Sequence, residues 1–591
     1  MEIKLFQKII HMLNWIGQWI PGLPELLRYD LAYFKNDLFA GLSVAAVALP
    51  TSIAYAQLAG LPPQAGLYST ILPMIIYTFL GSSRQLIVGP DAATCAMISS
   101  TLMPIVAAGS NPEYYQSLVF TLTLLAGILF IVAGFLRLGF LADLQSRSIL
   151  LGLMNGVAVM IIIGQLGNVI GVAATGKDTI GKLMSFIHLI PDFHWLTLLL
   201  SGTLFALYYV MQRYPGGKKV PSILVIAIVA VILSMVFSLS TRGVNIVGEI
   251  PSALPDMTMP ALPPHEQWGS LFFGAIALVF VSFISATLTA HTFAAKNNYE
   301  VDDNKELIAL GVADMASAIC QGFAISGADS RTAVNEAAGG KTRFAQLIAA
   351  LTILGALVLF IEPMGYMPLA ALGVILICSA IKLTNFSWLF KLRKISKTEF
   401  FIAMTTFLSV LLLGVIHAVI LAIFLAILSF LRKTARPVDH CLGLMPDDDN
   451  FYETDHHPEA QEVPGLLLYR FDASLIFLNA SYFRQRVLSL VRRTDISPVQ
   501  WVVIDGHSIN NVDLTGVMTL SDLGKFLAAR GIALAFADHT NHMKKWLQTH
   551  NIDPKELSFH IYPNRYEMLV AYRDSLKAQE DKGAEAVLQS A

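Results

Sequence analysis

Long apolar stretches run along the chain from residue 37 to residue 436, separated by short breaks of proline, glycine or charged residues. Residues 38–83 contain no Asp, Glu, Lys or Arg, and these 46 residues exceed two membrane crossings of about 20 residues each. We count fourteen helical segments, which begin near residues 38, 66, 91, 116, 147, 196, 220, 270, 305, 330, 344, 367, 398 and 417. The third and tenth look like half-helices. The pattern predicts an α-helical polytopic membrane domain over residues 37–436.

The ends of the chain have different patterns. In residues 1–36, apolar residues recur at helical spacing with lysines between them, which predicts a cytosolic or interfacial helix rather than a cleaved signal peptide. The acidic and polar residues 437–463 predict a linker. Residues 578–591 are polar and alanine-rich, and we expect a disordered tail there.

Residues 464–577 alternate short apolar runs with helical patterns, which predicts a small α/β domain. The predicted strands are Leu466–Phe471, Leu475–Leu478, Trp501–Asp505 and Ile532–Phe536. The predicted helices begin after Asn479, which could cap the first of them, and then cover about residues 514–530 and 541–549.

Composition and charge narrow the classes of function. Hydrophobic residues make up 55% of the chain and charged residues 14%, whereas a soluble domain has about 25% charged residues. A net charge of −2 gives no support for a nucleic-acid partner. The four cysteines form no metal-ligand spacing, and no nucleophile triad, Walker loop or zinc motif is present. The sequence therefore predicts no enzyme, no bound metal and no cofactor.

The basic residues between the segments predict the orientation of the chain. With fourteen segments, every loop after an even-numbered segment lies on the same side as both termini. The basic residues of those loops are Arg137, Arg147, Arg213, Lys218, Lys219, Lys296, Lys305, Lys341, Arg343, Lys382, Lys391, Arg393, Lys394 and Lys397. The opposite loops hold Lys177, Lys182 and Arg242. The positive-inside rule thus predicts a multi-pass protein of the cell membrane with both termini in the cytoplasm.

A weak internal repeat appears when the chain is shifted by 238 residues. Residues 87–94 read Ile-Val-Gly-Pro-Asp-Ala-Ala-Thr and residues 325–332 read Ile-Ser-Gly-Ala-Asp-Ser-Arg-Thr, so four of eight positions are identical. Each copy combines an extended segment, a glycine and a helix start. Two interrupted segments in corresponding halves are typical of a transporter site near the bilayer midplane.

The chemistry of the repeat favours an anion. Half-helix N-termini present unpaired N–H groups and positive dipole ends, and Arg331 adds a charge that can pair with an oxyanion. In the alternative interpretation, Gly89 and Gly327 only kink two packed helices, and Arg331 reaches cytoplasmic water. The duplication together with Arg331 favours the site.

Two carboxylates of the repeat, Asp91 and Asp329, have two interpretations of equal weight. Each could simply cap a helix N-terminus, as Asp commonly does. Alternatively, one of them could carry a proton that cancels the repulsion between carboxylate and anion, which would couple uptake to H⁺. We expect Asp91 rather than Asp329 to carry this proton, because Arg331 can hold Asp329 ionised.

Several further stretches carry a family resemblance. They are Pro63-Gln64-Ala65-Gly66-Leu67-Tyr68-Ser69, Gly81-Ser82-Ser83-Arg84, Val88-Gly89-Pro90, Asn304-Lys305-Glu306-Leu307-Ile308-Ala309-Leu310-Gly311 and Ser330-Arg331-Thr332-Ala333-Val334-Asn335. Together they resemble the SulP sulfate-permease family of anion transporters, the bacterial relatives of solute carrier family 26. The C-terminal domain resembles STAS, the anti-sigma-antagonist-like domain of these transporters, with Asp513-Leu514-Thr515-Gly516 at its characteristic loop.

The resemblance implies a seven-plus-seven inverted repeat, in which a core domain of segments 1 to 4 and 8 to 11 moves against a gate domain. The anion site would lie between segments 1, 3, 8 and 10. Together with the repeat, it points to a substrate-binding set of Thr51, Tyr55, Gly89, Asp91, Ala92, Gly327, Ser330 and Arg331. The resemblance also implies a homodimer with cytoplasmic STAS domains, to which a cytosolic regulator could bind.

Three positions qualify what the resemblance implies. Many bacterial members carry a carboxylate in segment 8 that is thought to serve cation coupling, but Ser285 stands there, so we expect no sodium site of that type. Asp91 occupies a position that is frequently uncharged, which supports it as the coupling acid. Thr515 could be a phosphorylation site at a helix N-terminus or an ordinary helix-start residue.

The residues and the resemblance together predict a secondary active transporter of a small inorganic anion that works by alternating access. Sulfate is the default substrate, with H⁺ symport or anion exchange as the mode of transport. Bicarbonate and C4-dicarboxylates stay open as substrates, because one guanidinium and helix dipoles suit them equally. An uncoupled anion channel and a membrane-anchored regulator are the competing classes.

Overall fold

The computed structural model describes residues 20–106, 111–142, 147–172, 179–213, 221–260, 263–359, 361–446, 448–492, 498–537 and 559–590. The chain divides into two compact units, the first ending at Ala426 and the second beginning at Ile427. Most of the predicted N-terminal interfacial helix and the predicted helix 541–549 lie outside the described residues.

The first unit is helical. Its first half contains α1 (Gly22–Leu27), α2 (Phe34–Leu58), α3 (Pro63–Leu80), β1 (Val88–Gly89), α4 (Ala92–Leu102), α5 (Pro112–Phe135), α6 (Arg147–Ile170), α7 (Thr179–Leu189), α8 (Trp195–Arg213) and α9 (Ser222–Val236). Its second half contains α10 (Trp268–Lys296), α11 (Asp303–Ile319), β2 (Ser326–Gly327), α12 (Asp329–Ala337), α13 (Phe344–Leu359), α14 (Glu362–Gly365), α15 (Leu369–Leu383), α16 (Phe386–Ile395), α17 (Lys397–Leu413) and α18 (Val415–Ala435).

Each of the fourteen predicted segments has a helix that begins within a few residues of the predicted start. The other helices of the described residues, α1, α7, α14 and α16, precede or connect these segments. Seven helical stretches of the described residues are long and apolar enough to cross a membrane, whereas α4, α9 and α13 are shorter apolar helices. The prediction that the third segment is a half-helix agrees with α4, and α12 is shorter still.

Local sequence signals explain where several helices begin. The Asn111 side chain accepts a hydrogen bond from the backbone N–H of Glu113, and Pro112 occupies the first turn of α5. The Asp302 side chain caps α11 through the backbone N–H groups of Asn304 and Lys305. Such caps satisfy backbone donors that have no partner within the helix.

A buried glutamate joins two of the motifs that carry the family resemblance. Glu306 of α11 is fully buried and accepts hydrogen bonds from Tyr77 Oη at 2.6 Å, the Ser82 backbone N–H at 2.7 Å and the Ser83 backbone N–H at 3.0 Å. Hydrogen bonding is what makes a buried carboxylate tolerable. This network holds the loop that leads from α3 into β1.

Close packing places α2 against α3. A Cβ atom at Gly66 would lie 2.0 Å from the Ser52 carbonyl oxygen, so only glycine permits this approach. The hydroxyl groups of Ser52 and Thr70 are hydrogen-bonded at 2.7 Å beside it. Small residues commonly allow such contacts between membrane helices. The packing brings the substrate candidates of α2 next to the extended segment that follows α3.

Strands β1 and β2 pair antiparallel, with Val88 opposite Gly327 and Gly89 opposite Ser326. A shift of 238 residues converts each of these pairs into the other. The two copies of the repeat are therefore related by local two-fold symmetry, as an inverted repeat requires.

The second unit is an α/β domain. Its sheet has the order β4-β3-β5-β6-β7-β8, in which β3 pairs antiparallel with β4 and β5, and β5 to β8 are parallel. The strands are β3 (Asp439–Met445), β4 (Asp448–Glu453), β5 (Leu466–Phe471), β6 (Trp501–Asp505), β7 (Ala533–Ala537) and β8 (Phe559–Ile561). The helices are α19 (Ala480–Val491), α20 (Leu514–Ala528) and α21 (Arg565–Ser590).

Three predictions for this unit are wrong. The predicted linker 437–463 contains β3 and β4, because alternate residues of β3 reach the two buried faces of the sheet while polar positions mask that alternation. The predicted strand Leu475–Leu478 makes a single bridge, from Leu475 to Val512. The predicted disordered tail 578–591 continues α21 to Ser590, consistent with the helix propensity of its Ala, Glu, Lys and Gln residues.

Candidate functional site

The two paired strands lead directly into two helix N-termini. Strand β1 is followed by α4, and β2 is followed by α12. Two hydrogen bonds extend the pairing: the Ala328 backbone N–H donates to the Ile87 carbonyl at 2.8 Å, and the Ile87 N–H donates to Thr332 Oγ1 at 3.0 Å. The half-helix starts that the sequence predicts are therefore brought together, with their unpaired N–H groups at one site.

Buried polar side chains hold the extended segments in place. The Asn335 amide donates to the Gln85 carbonyl at 3.0 Å, and Gln346 Oε1 accepts from the Val88 N–H at 3.4 Å. In the other copy, Asp314 Oδ1 accepts from the Ile325 N–H at 2.8 Å. Sequence reasoning missed these residues, although buried backbone groups of a non-helical segment in a membrane must find partners.

Arg331 occupies the centre of the site. It is 1% exposed, and its Nη2 atom donates a hydrogen bond to the Pro90 carbonyl of the other copy at 2.7 Å. Its guanidinium carbon lies 6.0 Å from the centre of the Tyr55 ring. A Cβ atom at Gly89 would lie 2.3 Å from Arg331 Nη1, which explains the glycine. The structure thus assembles Tyr55, Gly89 and Arg331 as the sequence predicts.

The guanidinium retains unused hydrogen-bonding capacity. Its Nε and Nη1 atoms are buried and have no hydrogen-bond partner. No carboxylate of the described residues forms a salt bridge with it. A buried charge is costly unless it is paired, so this arrangement favours an anion beside Arg331 and the two helix N-termini.

Asp91 caps α4. Its Oδ1 atom accepts hydrogen bonds from the Thr94 N–H at 2.7 Å and from Thr94 Oγ1 at 2.9 Å. This is the capping geometry that the sequence left as one of two interpretations. The other Oδ atom is not used in these bonds, so capping and a role in proton coupling are compatible.

The expectation that Arg331 pairs with Asp329 is wrong. Arg331 does not pair with it, since Arg331 turns to Pro90 and Tyr55, while Asp329 Oδ1 accepts a hydrogen bond from Thr289 Oγ1 of α10. Residues two positions apart on a helix do not face each other, which explains the missing pair. Thr289 was not predicted; its position four residues after Ser285, on one face of α10, was the available signal.

The remaining substrate candidates differ in their surroundings. Thr51 is buried, and its hydroxyl donates to the Val47 carbonyl of its own helix at 2.8 Å. Ala92 is buried in the first turn of α4, whereas Ser330 is exposed in the first turn of α12. A Cβ atom at Gly327 would lie 2.7 Å from the Ala286 backbone, so this glycine allows β2 to pack against α10.

The regulatory candidate Thr515 lies in the second unit. It is exposed in the first turn of α20, which Asp513 caps by accepting a hydrogen bond from the Gly516 N–H at 2.8 Å. The Asp513 side chain also accepts from the Phe477 N–H at 2.6 Å.

The first unit therefore has the architecture of a membrane transporter with an inverted repeat, in which two half-helices meet at a basic site. The chain belongs to the Sulfate permease family, whose sequence profile matches residues 34–406. The profile of the STAS domain matches residues 457–568. The sequence prediction of this family and fold is confirmed.

Related proteins agree with this assignment. The chain is 37% identical over 557 residues to a protein of Mycobacterium tuberculosis described as a "Probable sulfate transporter", which covers 94% of this chain and 98% of the relative. It is 31% identical over 534 residues to sulfate transporter 1.3 of Arabidopsis thaliana, covering 86% of this chain and 80% of the relative.

Solved structures share the fold. Murine solute carrier 26 family member A9, an anion transporter in the inward-facing state, matches with a TM-score of 0.84 at 23% identity, covering 95% of each chain. The transmembrane domain of a cyanobacterial bicarbonate transporter matches with a TM-score of 0.58 at 24% identity, covering 68% of this chain and 98% of that one. The protein is thus a membrane-spanning secondary anion transporter, and not an enzyme.

Proposed function

We propose that the protein transports a small oxyanion of the sulfate type, which binds between the N-termini of α4 and α12. The observation that carries this proposal is the buried guanidinium of Arg331 with two unpartnered nitrogen atoms. Tyr55, Ala92 and Ser330 would complete the walls, while Gly89 keeps space beside Arg331. The names of the relatives favour sulfate over bicarbonate and C4-dicarboxylates.

The transport cycle would be alternating access. Helices α2 to α5 and α10 to α13 would form the core, which carries the site, and α6, α8, α9, α15, α17 and α18 would form the gate. The hydrogen bonds between β1, β2 and their neighbours favour movement of the core as a rigid body, because they tie both half-helices together. An uncoupled channel is the alternative, and it predicts currents that far exceed saturable uptake.

Proton coupling is proposed at the same site. Asp91 caps α4 and follows Pro90, whose carbonyl contacts Arg331, and Asp329 begins α12. A carboxylate near a bound anion repels it, and protonation removes the repulsion. With Ser285 in α10 in place of a carboxylate, H⁺ is preferred to Na⁺ as the coupling ion.

The cellular arrangement is proposed from the sequence. The basic loops favour cytoplasmic termini in the cell membrane, and the family favours a homodimer. The exposed position of Thr515 next to a helix N-terminus is compatible with phosphorylation or with the docking of a cytosolic regulator.

Uptake by purified protein in proteoliposomes tests the anion site. The measurement uses radiolabelled sulfate, bicarbonate and succinate, with pH and sodium varied separately. We expect saturable sulfate uptake, and Arg331→Gln should lower the apparent affinity about 10- to 100-fold because charge-assisted hydrogen bonds are lost. The matched control is Arg242→Gln, which changes an exposed arginine elsewhere in the first unit.

Two results would count against the proposal. If Arg331→Gln retained the affinity of the unaltered chain, Arg331 would not bind the anion. If the panel gave saturable uptake of bicarbonate and none of sulfate, the substrate would be the alternative one on the same fold.

A further inference from the structure

A cavity lies in the first unit, away from the N-terminus of α4. Its volume is about 400 Å³. It is lined by the ends of α2 and α4, the C-terminal half of α6, the start of α7 and the junction of α17 with α18. Core and gate helices of the proposed cycle therefore both contribute to its walls.

The lining is mostly apolar but contains a cation and several polar side chains. Gln57, Ser99, Gln165, Asn168 and Lys182 contribute hydrogen-bonding side chains, and the described lining residues include neither Asp nor Glu. The Asn168 amide donates to Gln165 Oε1 at 2.8 Å, which leaves the amide N–H groups of Gln165 for another acceptor. These amide groups and the ammonium suit an anion better than a cation.

Lys182 has no counter-charge in the described part of the chain. Its side chain is partly buried, and no described carboxylate lies within ion-pair distance. Burial lowers the pKa of Lys182, since the ammonium loses water. An anion in the cavity would supply the missing partner.

The position of the cavity connects it with the proposed anion site. Helix α4 begins at that site and passes the cavity with Ala96 and Ser99. A helix rises about 1.5 Å per residue, so Ser99 lies about 10 Å beyond Ala92 along the helix axis. Lys182 belongs to a loop that the positive-inside rule places outside the cell. The cavity thus lies toward the outer end of a path along α4.

We propose that this cavity is a second anion-binding site, in which Lys182 captures a small oxyanion from the outside before it passes along α4 to Arg331. The inference rests on the proposed transport function and adds a residue that neither the repeat nor the family motifs include. The two residues should therefore have separate effects. Lys182 determines capture of the anion at the outer face, whereas Arg331 determines its binding in both the outward-facing and the inward-facing state.

The first experiment measures sulfate uptake in right-side-out vesicles with the full-length chain. Lys182→Gln should raise the external half-saturation concentration about tenfold, because a charge-assisted contact is lost, while the maximal rate and the internal half-saturation concentration stay unchanged. Lys182→Arg keeps the charge and should stay within about twofold of the unaltered chain. Arg242→Gln, another outer-loop change, should have no effect if capture is local rather than a general surface effect.

Chemical rescue provides a second readout. The four native cysteines, Cys95, Cys320, Cys378 and Cys441, are buried. Alkylation of Lys182→Cys with 2-bromoethylamine forms a carbon–sulfur bond, releases bromide and restores an ammonium of nearly lysine length. The external half-saturation concentration should then return to within about twofold of its original value, whereas alkylation with iodoacetate, which adds a carboxylate, should not restore it.

Equilibrium binding of radiolabelled sulfate separates this inference from the proposed function. The unaltered chain should bind two sulfate ions, and Arg331→Gln and Lys182→Gln should each bind one. The second site would be overturned if the unaltered chain and Lys182→Gln each bound one sulfate ion and Arg331→Gln bound none. This result would leave the transport proposal intact. An unchanged external half-saturation concentration in Lys182→Gln, or equal changes at both faces, would overturn the second site as well. Failure of Arg331→Gln to alter transport counts against the proposed function instead.

Discussion

The two copies of the repeat share a backbone but differ in chemistry. In both copies a two-residue strand leads into a helix, and the strands pair symmetrically. In the first copy, Asp91 binds Thr94 of its own helix, and Pro90 offers a carbonyl oxygen to the second copy. In the second copy, both side chains bind partners outside their own helix: Arg331 donates to Pro90 of the first copy, and Asp329 is bound by Thr289 of α10.

This difference shows how a duplicated scaffold acquires a single charged site. The position that corresponds to Arg331 in the first copy is Ala93, which is 3% exposed and small. Two guanidinium groups at symmetric positions would repel each other in a low-dielectric interior. One arginine against one glycine and one carbonyl oxygen avoids that repulsion.

The largest expected effect comes from the two corresponding glycines. In Gly89→Ala the new methyl group would collide with Arg331 Nη1, and the alanine would have to adopt a φ of +152°, so we expect about 1–3 kcal/mol of destabilisation and a sulfate affinity that falls more than about tenfold. In Gly327→Ala the methyl group meets the Ala286 backbone, which cannot move aside, and we expect about 1–3 kcal/mol of destabilisation.

Uptake kinetics and thermal unfolding of both variants check this contrast. Both variants should lower the melting temperature, whereas only Gly89→Ala should lower the sulfate affinity of the folded protein. Normal sulfate affinity in folded Gly89→Ala would show that the position of Arg331 does not control binding.

The second comparison concerns the two carboxylates. Asn is also a good helix cap, so Asp91→Asn should preserve the fold and remove the pH dependence of uptake. Asp329→Asn should retain that dependence, because Asp91 follows Pro90, which contacts Arg331 at the proposed anion site, whereas Asp329 is bound by Thr289 of α10. Sulfate uptake is measured from pH 5 to pH 8 (roughly the range in which such coupling is expressed), and unchanged proton dependence in Asp91→Asn would remove this residue from the mechanism.

The smallest effect should come from the threonines that bind these carboxylates. Thr289→Val removes the described side-chain hydrogen bond to Asp329, and a net hydrogen bond of about 0.5–1.5 kcal/mol predicts about a 2- to 10-fold loss of apparent affinity. Thr94→Val is the matched control, because Asp91 keeps the bond from the Thr94 backbone N–H. Equal losses in both variants in the same uptake assay would contradict the asymmetry of the two copies.

Much of the membrane unit could be predicted from the sequence. Fourteen apolar segments, the duplicated glycine and aspartate, and a lone arginine inside the membrane are local features, and they lead to the helices and to the half-helix starts of α4 and α12. The strand pair β3 and β4 could not be predicted in the same way. Its polar positions resemble a linker, and only pairing with β5 reveals that Cys441 and Leu442 are buried on opposite faces of the sheet.

What the sequence by itself determined is where the charges reappear within an apolar chain: Asp91, Asp329 and Arg331, at two matched helix starts. Only the tertiary structure decided their partners. Arg331 binds the Pro90 carbonyl 241 residues away rather than the neighbouring Asp329, and Asp329 binds a threonine 40 residues earlier. The physical reason is that helical periodicity specifies which face a side chain occupies, whereas the inverted packing of two copies determines which distant group meets that face.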